Sequence, residues 1–224
     1  MSNTHSSLKL AIFDLDGTVL DTIADLSDAV CAALENNGFP PRSPAEVMSF
    51  VGNGVLKLIE RSLPEGHKDP ETAALVCEDF NAHYAAHYAD KTRPYAGMPE
   101  LLKSLKERGI KLALLSNKPD AFTKGLAERF YPDIFDVVRG SGENTPRKPD
   151  PTAELEIIAE FSAKPDECVH VGDSDTDVMT ALNAGIRCVG CTWGYRSRQT
   201  LESAGAFAVA ESVFELSKFF EKNS

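Results

Sequence analysis

Short apolar runs alternate along this chain with longer segments in which apolar residues recur every three or four positions. The runs lack the polar alternation of a half-solvated sheet, so they predict parallel strands that are covered on both faces. Strands are predicted at residues 8–13, 111–115, 135–139, 168–171, 187–191 and 206–209. Helices are predicted at residues 98–108, 119–130, 151–161, 175–183 and 211–220. This order of elements predicts an α/β domain built on a parallel sheet.

One stretch breaks the alternation, because about a hundred residues separate the first predicted strand from the second, far more than one crossover helix needs. Helical patterns fill this stretch at residues 21–37, 44–50, 54–62 and 70–89, and it holds no convincing strand. The simplest interpretation is a helical unit inserted after the first strand and lying over the strand's carboxyl end as a lid. We therefore predict a core domain of residues 1–20 and 95–224 and a helical cap domain of residues 21–94.

The chain carries a net charge of −11 and has no basic block, which argues against nucleic acid and anionic membranes as partners. No apolar run approaches the about 20 residues that span a bilayer, and the first seven residues are polar, unlike a signal peptide. The five cysteines are odd in number and scattered, as in proteins of a reducing cytoplasm. We predict a cytoplasmic protein in which Cys188 and Cys191 are core thiols.

Polar residues follow four of the predicted strands at the point where each strand ends. They are Asp14 and Asp16; Ser116, Asn117 and Lys118; Lys148; and Asp173 and Asp177. Ligands of parallel α/β sheets bind outside the carboxyl ends of the strands, so these residues are expected to form one site. Each segment also has a structural interpretation: Asp16-Gly17 as a turn, Ser116 as a helix cap, and Lys148 as a surface lysine beside prolines.

The residue types at this site point to phosphate and metal chemistry. Asp14, Asp16 and Asp173 offer the hard oxygen ligands that Mg²⁺ prefers, and Asp177 lies four residues after Asp173 on one helix face, where it could hold a metal-bound water. The hydroxyl of Ser116 precedes a predicted helix, whose free N–H groups suit an anion; Asn117, directly after it, is assigned to phosphate binding with it. The ammonium of Lys148 would pair with Asp14 and with phosphate oxygens.

Four motifs of this chain resemble those of the haloacid dehalogenase superfamily of phosphatases. They are Asp14-Leu15-Asp16-Gly17-Thr18, Ser116, Lys148, and Gly172-Asp173 with Asp177. The resemblance covers nearly the whole chain and implies a Rossmann-like three-layer core with a small helical cap, and Mg²⁺ as cofactor. It implies that Asp14 attacks phosphorus to form an aspartyl-phosphate, that Asp16 acts as acid and then base, and that Lys148 and Ser116 stabilise the transferring phosphoryl group. The presence of Asp16 argues against a true dehalogenase.

Further segments look like those of phosphoglycolate phosphatases within that superfamily, which implies hydrolysis of 2-phosphoglycolate to glycolate and phosphate. They are residues 51–55, 116–119, 147–151 and 192–195. Gly52, Asn53 and Gly54 open a predicted cap helix whose N–H groups suit a substrate carboxylate. The alternative enzymes are a β-phosphoglucomutase-like phosphotransferase, a pyrophosphatase and a broad sugar-phosphate phosphatase. A non-catalytic binding module is a further alternative, and the complete set of motif residues argues against it. The expected partner is a small phosphomonoester, bound by a monomer or a homodimer.

Overall fold

The structure is a computed structural model that describes residues 7–142 and 145–222, except for the side chain of residue 222. Its strands are β1 (Leu10–Phe13), β2 (Leu20–Asp21), β3 (Arg93–Pro94), β4 (Lys111–Pro119), β5 (Val137–Ser141), β6 (Cys168–Gly172), β7 (Arg187–Cys191) and β8 (Ala208–Ala210). Six of these strands form one parallel sheet in the spatial order β5-β4-β1-β6-β7-β8. The predicted parallel sheet is therefore confirmed.

Ten α-helices lie in the described part of the chain. They are α1 (Ile23–Asn36), α2 (Pro44–Phe50), α3 (Val55–Ser62), α4 (Pro70–His87), α5 (Met98–Glu107), α6 (Asp120–Phe130), α7 (Thr152–Glu160), α8 (Asp175–Asn183), α9 (Arg198–Ala204) and α10 (Val213–Lys222). Nine of them were expected from the sequence pattern, and α9 was not. Helix α9 buries only Leu201, so its seven residues carry no repeating apolar pattern that a sequence could reveal.

Alternate residues of the central strands face opposite sides of the sheet, as a strand's twofold periodicity requires. Ala11 and Phe13 of β1 pack into one apolar cluster with α5, α6 and α10. Leu10 and Ile12 pack into a second cluster with α7, α8 and α9. Both faces of the sheet are therefore covered by helices, and the sheet is the middle layer of three.

The register of the central strands brings the ends of β1, β4 and β6 to one edge of the sheet. Leu10 of β1 lies opposite Lys111 of β4 on one side and opposite Cys168 of β6 on the other. Beyond the last pairs, the backbone N–H of Asp14 donates to the carbonyl of Val171 at 2.9 Å. This register places the residues that follow the three strands next to one another.

Helices α1 to α4 come after β1 and before β4 along the chain, and they form an apolar cluster of their own. Leu26, Leu34, Ile59 and Phe80 are among its buried members. The segment enters and leaves through β2 and β3, which pair antiparallel. The expectation that this stretch contains no strand was wrong, because two-residue strands are too short to show a period. The assignment of residues 21–94 to a cap domain stays a prediction.

The anchor between α1 and the end of the inserted segment is the carboxylate of Asp25. It is buried and accepts hydrogen bonds from the backbone N–H groups of Lys91 and Thr92 at 2.9 and 2.8 Å and from the Thr92 hydroxyl at 2.7 Å. These bonds join α1 to the end of the inserted segment, directly before β3.

None of the helices within residues 7–142 and 145–222 is long and apolar enough to cross a membrane. Cys188 and Cys191 are both buried and both unpaired, as expected for core thiols.

Candidate active site

Asp14 lies directly after β1 and has a buried carboxylate. Its Oδ1 accepts a hydrogen bond from Nζ of Lys148 at 2.7 Å. Burial raises the pKa of Asp14 to about 6, against the lowering effect of the Lys148 ammonium and with the help of the carboxylates of Asp177 and Asp16. A carboxylate with this pKa is mostly ionised at neutral pH, and its burial leaves it poorly stabilised by water.

Lys148 supplies a buried positive charge at the centre of the site. Its Nζ donates to Oδ1 of Asp14 at 2.7 Å, to Oδ1 of Asp177 at 2.6 Å and to the carbonyl of Leu115 at 2.9 Å. Burial alone would lower the pKa of Lys148, but the two carboxylates outweigh it and hold this pKa above its usual value. The alternative interpretation of Lys148 as a surface lysine was wrong.

Three buried carboxylates, those of Asp14, Asp173 and Asp177, each place an oxygen within 4.8 Å of the others. Burial, reinforced by the charges of Asp177 and Asp14, raises the pKa of Asp173 well above its usual value. A Cβ on Gly17 or on Gly194 would lie 2.4 Å from Asp173, so only glycine leaves room for this carboxylate. Crowded hard oxygen donors that repel one another fit a bound Mg²⁺, which would relieve the repulsion.

Asp177 belongs to this cluster through the first turn of α8. Its Oδ2 accepts from the backbone N–H and the hydroxyl of Ser174 at 3.0 and 2.6 Å, which closes a capping box. Burial alone would raise the pKa of Asp177, but Lys148 and His170 outweigh it and hold the pKa well below its usual range. The carboxylate therefore stays ionised and anchors Lys148.

Asp16 has a different environment from the one expected for a neighbour of Asp14 in a metal site. Its carboxylate accepts from Nζ of Lys118 at 2.9 and 3.2 Å and from the hydroxyl of Thr22 at 2.6 Å. The chain turns at this point, because the carbonyl of Leu15 accepts from the N–H groups of residues 18, 19 and 20, so strand alternation no longer aligns the two aspartates. The acidic cluster contains Asp177 in place of the Asp16 carboxylate.

Two residues near the carboxyl end of β4 are a pocket hydroxyl and a structural amide. Ser116 is buried and lines the pocket, and its Oγ accepts from the N–H of Lys118 at 3.3 Å. The amide of Asn117 donates to the carbonyls of Gly52 and Lys148 at 2.9 and 3.0 Å and accepts from the N–H of Lys148 at 2.7 Å. Both N–H donors of that amide are used, so its side chain has none left for a phosphate. Asn117 positions Lys148 instead.

The loop before α3 reaches the pocket through two of the three residues assigned to substrate contact. Gly52 and Gly54 line the pocket, whereas the amide of Asn53 donates to the hydroxyl of Thr176 at 3.5 Å. Arg196 of the core holds this loop, since its guanidinium donates to the carbonyls of Val51 at 2.6 Å and Met48 at 3.1 Å.

The pocket lies between the sheet edge and the inserted helices. Its base carries Asp14, Asp16, Ser116, Lys118, Lys148, Asp173 and Asp177. Its opposite wall is largely apolar and carries Leu26, Val51, Val55, Leu58, Phe80, Tyr84 and Phe122. One end of the pocket is therefore built for charge and the other for a small organic group.

A buried pair that the sequence analysis did not identify lies behind this base. His170 of β6 and Glu154 of α7 are both fully buried, with Nδ1 of His170 2.7 Å from Oε1 of Glu154. Nε2 of His170 lies 3.4 Å from Oδ1 of Asp177. Burial alone would lower the pKa of His170, but Glu154 and Asp177 outweigh it and raise the pKa to about 9. The apolar residues on either side of His170 in β6 gave no sign that this histidine has a buried carboxylate partner.

We expect this histidine to make the stability of the metal-free protein pH-dependent. Because the pKa of His170 is raised to about 9 on folding, its contribution is complete below the unfolded value near 6.5 and is lost as pH rises through 9. The loss corresponds to about 3 kcal/mol. Urea unfolding between pH 6 and 10 measures it, and His170→Gln is expected to flatten the profile in that window. If the free energy of unfolding changed equally with pH in the wild type and in His170→Gln, the charged state of His170 would be contradicted.

The sequence and the fold match known proteins over most of the chain. The model of the haloacid dehalogenase-like hydrolase family matches residues 11–191. Phosphoglycolate phosphatase 1 of Pseudomonas aeruginosa is 32% identical over 214 residues, which are 93% of this chain and 78% of that protein. A phosphoglycolate phosphatase of Vibrio vulnificus is 33% identical over 219 residues, 95% of this chain and 96% of that one.

A solved structure agrees with these relatives. The crystal structure of a candidate phosphoglycolate phosphatase from Lactobacillus delbrueckii subsp. bulgaricus superposes with a TM-score of 0.90 and 31% identity, covering 96% of this chain and 98% of that one. The resemblance inferred from the four motifs is confirmed, and so is the predicted enzyme class, a phosphatase. The chain belongs to the haloacid dehalogenase-like hydrolase family.

Proposed function

We propose that this phosphatase hydrolyses 2-phosphoglycolate through an aspartyl-phosphate on Asp14, with Mg²⁺ as its cofactor. The observation that carries the proposal is the Asp14 carboxylate, buried at the base of a pocket, 2.7 Å from the Lys148 ammonium and with a pKa raised to about 6. An ionised carboxylate beside a fixed cation is suited to attack phosphorus while the charge on the phosphoryl oxygens is neutralised.

The reaction takes two displacements at phosphorus. In the first, a carboxylate oxygen of Asp14 bonds to phosphorus, the ester P–O bond breaks, and Asp16 acts as the general acid that delivers a proton to the departing alcohol. In the second, Asp16 takes a proton from water, the water oxygen bonds to phosphorus, and the bond to Asp14 breaks to release phosphate. Asp16 lines the same pocket as Asp14, as both proton transfers require.

The remaining residues of the site stabilise the phosphoryl group. Lys148 and the hydroxyl of Ser116 would donate to its oxygens, and both line the pocket beside Asp14. Asp14 and Asp173 would hold Mg²⁺, with Asp177 beside them, as the acidic cluster suggests. When bound, the metal supplies positive charge that offsets both the carboxylates and the phosphate.

Helices α1 to α4 would act as the cap domain, residues 21–94, and exclude water from the intermediate. Their contacts with the core support this role: Asn117 holds Gly52 at 2.9 Å, Arg196 holds Val51 at 2.6 Å, and the hydroxyls of Tyr195 and Thr22 lie 3.0 Å apart.

The substrate assignment is tested by comparing kcat/KM across phosphate esters. We expect 2-phosphoglycolate to be preferred over hexose phosphates, pyrophosphate and glycerol phosphate. Product analysis with a hexose 1-phosphate is expected to show free phosphate and no isomerised sugar. A tenfold or greater preference for another ester would overturn the assignment of the substrate while leaving the phosphatase class intact.

Removal of divalent metal is expected to lower kcat at least about 100-fold, because the phosphoryl oxygens then lose their main counter-charge. Steady-state assays in EDTA, followed by addition of excess Mg²⁺, measure the loss and its recovery. Asp173→Asn is expected to raise the Mg²⁺ concentration that gives half-maximal activity, whereas Asp175→Asn, which changes a half-exposed carboxylate two residues further along the chain, is expected to leave it unchanged. Full activity after exhaustive chelation would contradict the metal site.

A further inference from the structure

The hydroxyl of Tyr84 is buried in the pocket wall without a hydrogen-bond partner. The residue is 2% exposed and comes from α4 of the inserted segment, and its oxygen makes no hydrogen bond within normal distance and angle limits. A buried polar group without a partner costs about 1–3 kcal/mol. Because Tyr84 lines the pocket, a bound ligand is the natural source of the missing partner.

Lys118 of the core lies beside the same hydroxyl. Its Nζ lies 4.8 Å from the centroid of the Tyr84 ring, and its side chain is 3% exposed. The two oxygens of Asp16 take two of its three N–H donors. Its third N–H interacts with the nearby Tyr84 hydroxyl but makes no normal hydrogen bond with it, so a ligand can compete for this donor; an ammonium has no acceptor to offer.

The phenol proton is retained under physiological conditions. Burial raises the pKa of Tyr84 to about 12, against the lowering effect of Lys118. The other side chains of this wall, among them Leu26, Phe80 and Phe122, have no acceptor. A neutral phenol and an ammonium thus present donors side by side in the pocket, one from the inserted helices and one from the core.

We propose that Tyr84 and Lys118 together bind the carboxylate of a short phosphorylated acid and so determine the substrate specificity of the enzyme. The inference rests on the proposed function and names the residues that would recognise the organic part of the substrate. Two donors favour an anionic acceptor over a sugar hydroxyl, which needs an acceptor for its own proton.

The position of Lys118 also limits the length of the substrate. Its Nζ lies 2.9 Å from the carboxylate of Asp16, the group assigned to the proton of the ester oxygen. A carboxylate held by Lys118 must therefore lie within a few atoms of that oxygen. In 2-phosphoglycolate a single CH₂ group separates the two, whereas in longer acids the carboxylate would be driven against the apolar wall.

The test compares two esters and two variants. The esters are 2-phosphoglycolate and 2-hydroxyethyl phosphate, which replaces the carboxylate by a neutral alcohol. The variant Tyr84→Phe removes only the hydroxyl and keeps the ring in the apolar cluster of helices α1 to α4. The matched control is Tyr88→Phe, one helical turn further along, where the tyrosine does not line the pocket. Urea unfolding of both variants verifies that the fold is retained.

We expect Tyr84→Phe to raise KM for 2-phosphoglycolate about tenfold or more, as for a lost hydrogen bond to a charged group. The kcat and KM values for 2-hydroxyethyl phosphate are expected to change less than about twofold in Tyr84→Phe. The Tyr88→Phe variant is expected to keep the wild-type kcat and KM for both esters. Equal losses on both esters, or no loss on either, would overturn the inference while leaving the substrate assignment standing.

The two proposals can fail separately. If the wild-type enzyme prefers a different phosphorylated acid and Tyr84→Phe selectively weakens that acid, the substrate assignment fails and the carboxylate site is supported. If the wild-type enzyme prefers neutral esters and Tyr84→Phe does not discriminate between esters, both proposals fail.

Discussion

Replacing Asp14 by asparagine is expected to lower kcat at least about 10⁴-fold, the size of loss seen when an enzyme loses its nucleophile. The amide has nearly the shape of the carboxylate and can still accept the hydrogen bond from Nζ of Lys148, now 2.7 Å long. It is a far poorer nucleophile towards phosphorus. The variant also carries one charge fewer beside Asp173, and burial and repulsion raise the pKa values of both Asp14 and Asp173, so its unfolding midpoint is not expected to fall substantially.

Steady-state assays measure this loss, and rapid acid quench of the wild-type enzyme with labelled substrate tests for a phosphoryl group on the protein. That label is expected in the wild type and is expected to be absent in Asp14→Asn. Asp175→Asn serves as the matched control, since Asp175 is half exposed and lies outside the pocket. A folded Asp14→Asn variant that keeps more than about 1% of the activity would refute the assignment of the nucleophile.

Replacing Lys148 by methionine is expected to destabilise the protein by about 3–5 kcal/mol at neutral pH and to lower kcat about 10³-fold. Methionine keeps the length and apolar part of the side chain but removes the charge that pairs with Asp14 and Asp177, both buried. Breaking a buried pair leaves charges that nothing compensates, and this costs far more than the net contribution of the pair. The loss of stability is expected to shrink at acidic pH, because protonation removes those charges.

Urea unfolding at pH 7 and at pH 5 measures both effects. The control is Lys103→Met on α5, where the side chain is 73% exposed and the change is expected to stay within about 0.5 kcal/mol. A loss of less than 1 kcal/mol for Lys148→Met at neutral pH would show that the two carboxylates are compensated by other groups, with His170 the nearest candidate for Asp177. Addition of Mg²⁺ is expected to recover part of the stability, since the metal would bring positive charge to the same carboxylates.

The sheet and most helices could be predicted because burial leaves a periodic trace in the sequence. The runs that became β1, β4 and β6 are continuous apolar segments, as strands covered on both faces require. Elements shorter than one period left no such trace. The pair β2–β3 has two residues on each side, and its place at the base of the inserted helices depends on pairing between segments about 70 residues apart, which no local pattern records.

The convergence of the site residues could be predicted for a similar reason. Parallel strands end at one edge, so residues that follow them meet there whatever their side chains do. The local sequence could not say which partner each side chain finds after the backbone turns. Asp16 is two residues from Asp14, yet it pairs with Lys118 from β4. Asn117 lies beside Ser116, yet its amide is used to fix Lys148 and Gly52.

By itself the sequence determined the parallel sheet and the set of residues at its edge, because these follow from the apolar strand runs and from where each strand ends. Its four motifs carried the resemblance to the family, and that resemblance implied the three-layer core. Only the tertiary structure decided that Asp177 joins Asp14 and Asp173, and that the hydroxyl of Tyr84 lies in the pocket without a partner. The physical reason is that charge pairing and hydrogen bonding act over a few ångströms between segments far apart in the chain. Tertiary packing therefore brings together the charged and hydrogen-bonding groups that surround this site, and their proximity cannot be read from the order of residues.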